Sequence, residues 1–371
     1  MVKSRSVITP WKVSGDVNYK KLIKEFGTEP ITEEIQSNLK KAHPVLRRGL
    51  FFSHREFDLW LRDAHAKKKV SIVSGRGPSE KMHIGHLIPF LASKSLQEIY
   101  NCNVFIPISE DEKFFVKPSL SLENAKKFAE DNILDILALG FKPGKTFILR
   151  DFSNSKIYEW SAKLSKLITY SEAKAVFGLK PENNIGWSFY PAVQAAHILL
   201  PQFVEGAHKT LVPVGIDQDP FIRLTRDKAS NSALKFIKPA AIHGRFLPGL
   251  KGEAKMSSSD SEGTNLIYLS DSPHEVKNKI NRYAFSGGKD TLDEHRKHGG
   301  NPDIDISFQY LKFFFEESDK KLQKIHDDYK SGTLTTGELK AYTIKKISSF
   351  LEKHQKAKQA AKAKAKKFMM D

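Results

Sequence analysis

Short apolar runs alternate with segments of helical periodicity through the middle of the chain. The apolar runs predict strands, at residues 70–73, 104–108, 147–149 and 210–216. Helices are predicted between them: one has Leu87, Ile88, Leu91 and Ile99 on one face, and another covers residues 122–139. This alternating order predicts an α/β fold with a mostly parallel sheet between layers of helices.

The two ends of the chain depart from this alternation. Helical patterns at 19–26 and 31–39 lie in an N-terminal extension, and strand signals vanish after about residue 270. Three further helices are predicted, at residues 275–283, 308–317 and 337–353. We therefore expect four parts: an extension (1–60), an α/β domain (61–268), a helical domain (269–354) and a basic Lys/Ala-rich tail (355–371). The tail is either an exposed helix or a disordered segment.

Polar residues follow the strand predicted at 210–216. In this stretch Asp219 suits a helix N-cap and Pro220 the first helical turn. Asp217 and Gln218 are therefore predicted at the carboxyl end of a strand.

Composition narrows the possible partners. The chain has 371 residues and a formal net charge of +17, which favours a nucleic acid, a nucleotide or an acidic membrane as partner. Cys102, the single cysteine, excludes an intrachain disulfide and a cysteine zinc site. No apolar run approaches the roughly 20 residues that span a bilayer, and the first residues lack a signal peptide's apolar centre. We expect a cytoplasmic protein that does not bind membranes.

Met82-His83-Ile84-Gly85-His86 lies where the loop after the first predicted strand enters a helix. Ligands bind beyond the strand ends of open α/β sheets, and helix N-termini offer free N–H groups to phosphates. His83 and His86 can donate hydrogen bonds to a phosphoryl oxygen, and Gly85 lets an adenine ring approach the backbone. Two ordinary helix histidines explain this short motif equally well.

Lys255-Met256-Ser257-Ser258-Ser259 lies in a second glycine-bounded loop, which can close over a substrate. A flexible lysine beside hydroxyl groups can neutralise the charge on departing pyrophosphate. Alone, the segment is more simply a solvated polar loop. Together, His83-Ile84-Gly85-His86 and this segment form the paired signatures of class I aminoacyl-tRNA synthetases.

Longer stretches resemble the tryptophanyl-tRNA synthetases of archaea and eukaryotes over nearly the whole chain. The segments that carry the resemblance are residues 10–11, 47–55, 75–90, 110–115, 189–196, 215–220, 284–288 and 303–308. The resemblance implies a Rossmann-type catalytic domain with a dimer-forming insertion, then a helical anticodon-binding domain. It further implies a homodimer whose substrates are tryptophan, tRNA(Trp) and ATP with Mg²⁺, with no metal site built from protein residues.

Site residues are carried over from the same resemblance. The residues implied to be catalytic are His83, His86, Lys255 and Ser257. The residues implied to bind ATP are Arg76, Gly77, His83, Gly85, His86, Lys255, Met256, Ser257 and Ser258. The residues implied to surround the amino acid are Val73, Pro107, Glu112, Lys113, Tyr190, Gln194, Asp217 and Gln218. Without the motifs, an exposed Glu112–Lys113 ion pair and polar helix ends at Gln194 and Gln218 are at least as plausible.

The chain departs from the resembled family at two positions. The usual partners of the indole N–H are a tyrosine before the Gly75-Arg76-Gly77 turn and a glutamine before the Glu110–Phe115 stretch, but this chain has Val73 and Pro107 there. A site that hydrogen-bonds a polar group discriminates far better than an apolar pocket, so either another group must hydrogen-bond the indole ring or the selectivity is poorer. Tyr190 and Gln194 are the candidates. Gln194 could instead hold the amino group, and Tyr190 could simply be a core residue.

Three other functions are compatible with parts of the sequence. A tyrosine-specific synthetase shares the fold and both signatures, although residues 217–227 and 284–288 favour tryptophan. Small nucleotidyltransferases also use a His-x-Gly-His turn, but they usually lack a large helical C-terminal part. A noncatalytic RNA-binding paralogue is disfavoured by the two intact signatures. ATP–pyrophosphate exchange measured with each amino acid in turn separates these functions.

We predict that Lys255→Ala lowers the rate of adenylate formation by roughly 10² to 10³, because it removes a charge contact made in the transition state. The unfolding midpoint should hardly change, because the residue lies in an exposed loop. Single-turnover adenylation and thermal unfolding measure the two effects. Equal adenylation rates in the variant and the parent would contradict the role of Lys255.

Overall fold

The computed structural model describes residues 18–252 and 263–370, together with the backbone of 7–8 and 13–14. Its strands, numbered along the chain, are β1 (Val7–Ile8), β2 (Val13–Ser14), β3 (Glu29–Pro30), β4 (Phe51–Arg55), β5 (Val70–Val73), β6 (Asn103–Ile108), β7 (Thr146–Arg150), β8 (Lys209–Gly215) and β9 (Ala240–Gly244). Strands β1 and β2 pair with each other, and the other seven form one sheet in the order β3-β4-β9-β8-β5-β6-β7.

The helices of the described residues surround this sheet. They are α1 (Tyr19–Phe26), α2 (Glu33–Asn38), α3 (Pro44–Arg47), α4 (Phe57–His65), α5 (Leu87–Tyr100), α6 (Glu110–Val116), α7 (Leu122–Leu137), α8 (Lys156–Ser165), α9 (Tyr170–Phe177), α10 (Ile185–Glu205), α11 (Asp219–Ala229), α12 (Pro273–Tyr283), α13 (Leu292–His298), α14 (Ile306–Tyr310), α15 (Asp319–Lys330) and α16 (Thr336–Lys362). None of them is long and apolar enough to cross a membrane.

Five strands of the main sheet, β5 to β9, run parallel. The four predicted strands are confirmed as β5 to β8. The parallel β5 is buried at every residue, as expected for a strand covered by helices on both faces. The α/β prediction is therefore confirmed.

Three strands of the sheet were not predicted. β9 begins with two alanines and ends at Gly244, so it has little β-branched character to distinguish it from a loop. β3 and β4 lie within the segment expected to be an N-terminal extension, and they pair antiparallel to each other and to β9. Residues 29–30 and 51–55 thus complete the main sheet instead of forming a separate appendage.

Two local predictions need correction. Ile99 was expected on the buried face of α5, but it lies in the last turn and its side chain is 39% exposed. Asp219 was expected to cap α11, but it is the first residue of that helix, and Gln218 occupies the N-cap position. The Asp219 carboxylate instead accepts hydrogen bonds from Arg55 at 2.7 and 2.8 Å, which join β4 to α11.

The helices after residue 270 pack into the same core as the α/β part. Buried residues of α12, α14 and α16, such as Val276, Phe308 and Ile347, belong to one apolar cluster with Ile72 of β5 and Ile106 of β6. This continuity fixes the helices against the sheet.

The basic tail is neither a disordered segment nor a fully exposed helix. α16 continues through it to Lys362, and its His354 and Lys358 contact Asp135 of α7 at 3.0 and 2.9 Å. Phe368 is buried, and the N–H of Met370 donates to the carbonyl of Ile148 at 2.8 Å. The end of the chain therefore covers part of the free edge of β7, where unpaired backbone groups would otherwise face solvent.

Candidate active site

The candidate site lies where the strand order of the sheet reverses. β5 is flanked by β6 on one side and β8 on the other, so the loops after these strands diverge at their carboxyl ends. A crevice at such a position is the usual ligand site of open α/β sheets. The structure has a cavity of about 550 Å³ there.

The cavity brings together the predicted site residues that the structure describes. Those lining it are Val73, Arg76, Gly77, His83, Gly85, His86, Pro107, Glu112, Lys113, Tyr190, Gln194, Asp217 and Gln218. Lys255, Met256, Ser257 and Ser258 lie outside the described residues.

The two histidines of the signature are held against each other. His83 precedes a 3₁₀ turn, Ile84–His86, and its N–H donates to Nδ1 of His86 at 3.2 Å. The two rings stack with centroids 3.6 Å apart. Burial, helped by the nearby Arg76, lowers the pKa of His83 to about 3, so its ring is neutral at pH 7. A neutral ring can still donate one hydrogen bond to a phosphoryl oxygen.

Arg76 has unused hydrogen-bonding capacity within the cavity wall. Its N–H donates to the carbonyl of Pro107 and its Nε to Oδ1 of Asn132, both at 3.0 Å. Burial lowers the pKa of Arg76 to about 10, which leaves it charged at pH 7. Its Nη2 is buried without a partner among the described residues, as is Nδ1 of His83. Because unpaired buried polar atoms are costly, this part of the cavity fits an anionic group such as a phosphate.

Asn132 is a functional neighbour that the sequence did not reveal. It is fully buried on α7, where it accepts from Arg76 and donates to the carbonyl of Glu80 at 3.0 Å. It thereby fixes the direction of the guanidinium. A lone asparagine in an amphipathic helix gives no sequence signal for such a role.

Glu112 and Lys113 form a partly buried ion pair at the cavity. Their side chains are 14% and 22% exposed, and Nζ of Lys113 lies 2.6 Å from Oε1 of Glu112. The pair is therefore not the exposed ion pair that was the alternative. The two residues follow β6 in the first turns of α6. They approach Gly77 closely, because a Cβ at Gly77 would overlap the Glu112 carboxylate and lie 3.0 Å from Cε of Lys113.

Helix α10 forms one wall of the cavity. Tyr190, Gln194 and His197 are spaced so that they lie on one face of this helix, and all three line the cavity. Burial, with Glu112 and Asp111 nearby, raises the pKa of the Tyr190 hydroxyl, which is therefore protonated. His197 was not among the predicted site residues.

Two buried aspartates, Asp151 and Asp111, lie next to His197, and Asp151 contacts its ring. Asp151, at the end of β7, lies with Oδ1 2.8 Å from Nε2 of His197, and Asp111 of α6 accepts from the Tyr158 hydroxyl at 3.2 Å. Burial and the neighbouring Asp151 raise the pKa of Asp111 to about 9, and burial raises the pKa of Asp151 as well. The two carboxyl groups are hydrogen-bonded to each other. They therefore share a proton at pH 7, since two adjacent buried carboxylates cannot both ionise.

The opposite wall of the cavity is the turn after β8. Asp217 and Gln218 lie in a 3₁₀ turn, Ile216–Gln218, in which Nε2 of Gln218 donates to Asp217 at 3.3 Å. The next residue, Asp219, is buried, and hydrogen bonds from Arg55 and His243 outweigh burial and lower its pKa to about 2. This ionised carboxylate anchors the turn and so sets the position of Gln218.

The fold and the cavity together fit an α/β protein with a nucleotide site next to a site for a small, partly apolar ligand. A phosphate-compatible region at Arg76 and His83 is continuous with a region lined by Val73, Pro107 and Ile198. Within the described residues no cluster of His, Cys, Asp and Glu has the arrangement of a metal site.

Comparison with known proteins identifies the family. Residues 65–352 match the model of the tRNA synthetases of class I (W and Y). The chain is 48% identical to the tryptophan–tRNA ligase of Sulfurisphaera tokodaii, over 96% of this chain and 93% of that protein. The chain belongs to the class I tRNA synthetases of the tryptophan and tyrosine group.

Solved structures agree with this assignment. The tryptophanyl-tRNA synthetase of Encephalitozoon cuniculi bound to tryptophan is 37% identical with a TM-score of 0.86, over 96% of this chain and 98% of that one. The Plasmodium falciparum tryptophanyl-tRNA synthetase is 40% identical with a TM-score of 0.87, over 95% and 97% of the two chains.

We predict that Gly77→Ala raises the KM for the amino acid by roughly tenfold, because the new methyl group displaces the Glu112 carboxylate and the bound Lys113. ATP–pyrophosphate exchange at varied amino-acid concentration measures this effect. Gly337→Ala is the matched control, since a Cβ at Gly337 meets no atom within 4 Å. An unchanged KM in Gly77→Ala would show that the carboxylate does not contact the substrate.

Proposed function

We propose that this enzyme is a tryptophan–tRNA ligase, which activates L-tryptophan with ATP and transfers it to tRNA(Trp). The observation that carries the proposal is the single cavity in which a phosphate-compatible region adjoins an apolar pocket. The tryptophan–tRNA ligases among the relatives, matched over nearly the whole chain, support this substrate.

The apolar part of the cavity suits an aromatic side chain. It is lined by Val73, Pro107, Ile198, Phe221 and Ile222. Pockets of this kind bind aromatic ligands through apolar area and use a few polar groups for orientation. Glu112, Lys113, Gln194 and Gln218 supply polar groups at the same cavity, where they hold the ammonium and carboxylate groups of the amino acid.

Adenylate formation requires positioning more than acid–base chemistry. The tryptophan carboxylate attacks the α-phosphorus of ATP in line, and pyrophosphate leaves; the nucleophile is already ionised and needs no general base. Arg76, His83 and His86 face the phosphates as donors in a largely buried site, where electrostatic stabilisation is strong. ATP enters as its Mg²⁺ complex. Lys255 and Ser257 complete the phosphate contacts.

The second step transfers the aminoacyl group to tRNA. A ribose hydroxyl of the terminal adenosine, the 2′-hydroxyl by family resemblance, attacks the adenylate carbonyl and releases AMP. The net charge of +17 favours binding of the tRNA backbone. Residues 269–354, which form α12 to α15 and most of α16, are the proposed anticodon-binding domain, and the enzyme acts in the cytoplasm.

An exposed apolar surface supports a homodimer. Phe114 of α6 and Ile185 at the start of α10 are 38% and 88% exposed. The rings of Phe114 and Phe152 pack edge to face with their centroids 6.3 Å apart. Asn184 and Trp187 donate to the carbonyl of Phe115, which makes the ends of α6 and α10 one continuous surface. We assign the dimer interface to this surface, because contiguous exposed apolar area marks a contact with another protein.

We expect tryptophan to support ATP–pyrophosphate exchange with a kcat/KM at least about 10³ times that for tyrosine or phenylalanine, because a hydrogen-bonding site rejects analogues that lack its polar group. Exchange measured with each of the 20 amino acids tests this. Charging of tRNA(Trp) but not tRNA(Tyr) transcripts provides the matched second readout. A preference for tyrosine would overturn the proposed substrate.

We expect Ile185→Glu combined with Phe114→Glu to convert the dimer into a monomer, because burying two carboxylates against their own symmetry mates costs several kcal/mol. Sedimentation equilibrium measures the mass. Leu292→Glu is the control, since Leu292 is 60% exposed on α13, away from this surface. A parent that sediments as a monomer would contradict the proposed dimer.

A further inference from the structure

The indole N–H of tryptophan needs an acceptor inside the pocket. This inference rests on the proposed function, since only a tryptophan enzyme binds an indole. Val73 and Pro107 line the cavity but offer no side-chain acceptor. A buried N–H without a partner costs about 1–3 kcal/mol, so a pocket without an acceptor would bind tryptophan poorly.

The path of α10 distinguishes the candidate acceptors by depth. The helix starts beside Phe115, near the strand ends that open the cavity, and its last residue, Glu205, accepts from Lys69 at the start of β5 at 3.1 Å. It therefore runs antiparallel to β5, from the cavity mouth towards the opposite edge of the sheet. From Tyr190 to His197 the helix advances by about 10 Å. His197 lies deepest of the three polar residues that α10 presents.

Burial distinguishes His197 from Gln194, although Tyr190 is as buried as His197. The side chain of His197 is 7% exposed, and its neighbour Ile198 is also buried, whereas Gln194 is only partly buried. Gln194 lies one helical turn nearer to the N-terminal end of α10, which meets α6, the helix that carries the polar groups Glu112 and Lys113. The side chain of an amino acid whose carboxylate faces ATP extends away from those groups. It therefore extends towards His197.

The buried aspartates determine which nitrogen of His197 can accept. Oδ1 of Asp151 lies 2.8 Å from Nε2 of His197, while the buried Oδ2 has no hydrogen-bond partner among the described residues other than the carboxyl group of Asp111. The proton shared with Asp111 therefore lies at Oδ2 of Asp151. Oδ1 remains free to accept a hydrogen bond from the Nε2–H of His197. With its proton on Nε2, the neutral ring carries a lone pair on Nδ1. Nδ1 has no hydrogen-bond partner among the described residues.

We propose that Nδ1 of His197 accepts the hydrogen bond of the indole N–H and is the residue that selects tryptophan. Asp151 and Asp111 act through it as positioning residues, because they hold the ring in one orientation and one tautomer. Tyr190 is a poorer acceptor. Its protonated hydroxyl is already hydrogen-bonded to Ser109, and the negative charge of nearby acidic residues favours its use as a donor.

A pair of substitutions tests this role. In His197→Asn the amide oxygen can occupy the position of Nδ1, whereas in His197→Gln the amide reaches the position of Nε2 and keeps only the contact to Asp151. The probes are tryptophan and 3-benzothienylalanine, in which sulfur replaces the N–H. The readout is kcat/KM in ATP–pyrophosphate exchange, with the KM for ATP and the unfolding midpoint measured in parallel.

The two variants should behave differently. In His197→Gln, kcat/KM for tryptophan should fall about 10- to 100-fold, while kcat/KM for the sulfur analogue changes by less than about threefold. The variant would then no longer discriminate between the two substrates. His197→Asn should retain most of the discrimination. An equal fall in kcat/KM for both substrates, or unchanged discrimination between them in His197→Gln, would overturn the role of His197. The proposed function would not be affected. A parent enzyme that does not use tryptophan would instead overturn the proposed function, and with it this inference.

Discussion

The packing of α10 against the parallel strands is the constraint on which the site depends. The helix is buried along most of its 21 residues and contains Pro191 and Pro201, which cannot donate backbone hydrogen bonds. Because it lies antiparallel to β5, its inner face presents a series of polar groups from the mouth of the cavity inwards. Shifting this helix by one turn would replace Gln194 by Tyr190 or Ile198 at the same depth, so its register determines which substrate group each residue meets.

Charge in the cavity is arranged by burial as much as by residue type. Arg76 keeps its charge although burial lowers its pKa, while His83 loses its charge under the same influence. The result is one cation and one neutral ring at the same cavity, each with a nitrogen atom that has no partner within residues 18–252 and 263–370. Such preorganised donors stabilise developing negative charge without reorganising during the reaction. Burial has a corresponding effect on acidic groups. It makes Asp111 and Asp151, next to His197, retain a proton at pH 7 that isolated aspartates would lose.

The helical C-terminal part and the catalytic sheet form one packed unit. They share a single apolar cluster, and α16 returns to α7 through the contacts of His354 and Lys358 with Asp135. The chain then ends on the edge of β7 at Ile148. Since Asn132, which orients Arg76, lies on the same helix as Asp135, the contact between α16 and α7 also supports the phosphate region. The basic tail therefore has a structural role, because its residues hold α16 against α7 and cover the edge of β7.

The sequence by itself determined the α/β class, four of the five parallel strands, and thirteen described residues that prove to line one cavity, because local periodicity and compact motifs carry that information. It did not reveal β9 and β3, whose residues have weak strand preference, or β4, whose place in the sheet depends on its pairing with β9 and β3. Only the tertiary structure decided that Asp219 pairs with Arg55, and that Asn132, Asp111, Asp151 and His197 surround the site. The contacts of Arg55 with Asp219, Arg76 with Asn132 and Asp151 with His197 join residues 46 to 164 positions apart. Their chemistry arises from burial and proximity, which no short stretch of sequence encodes.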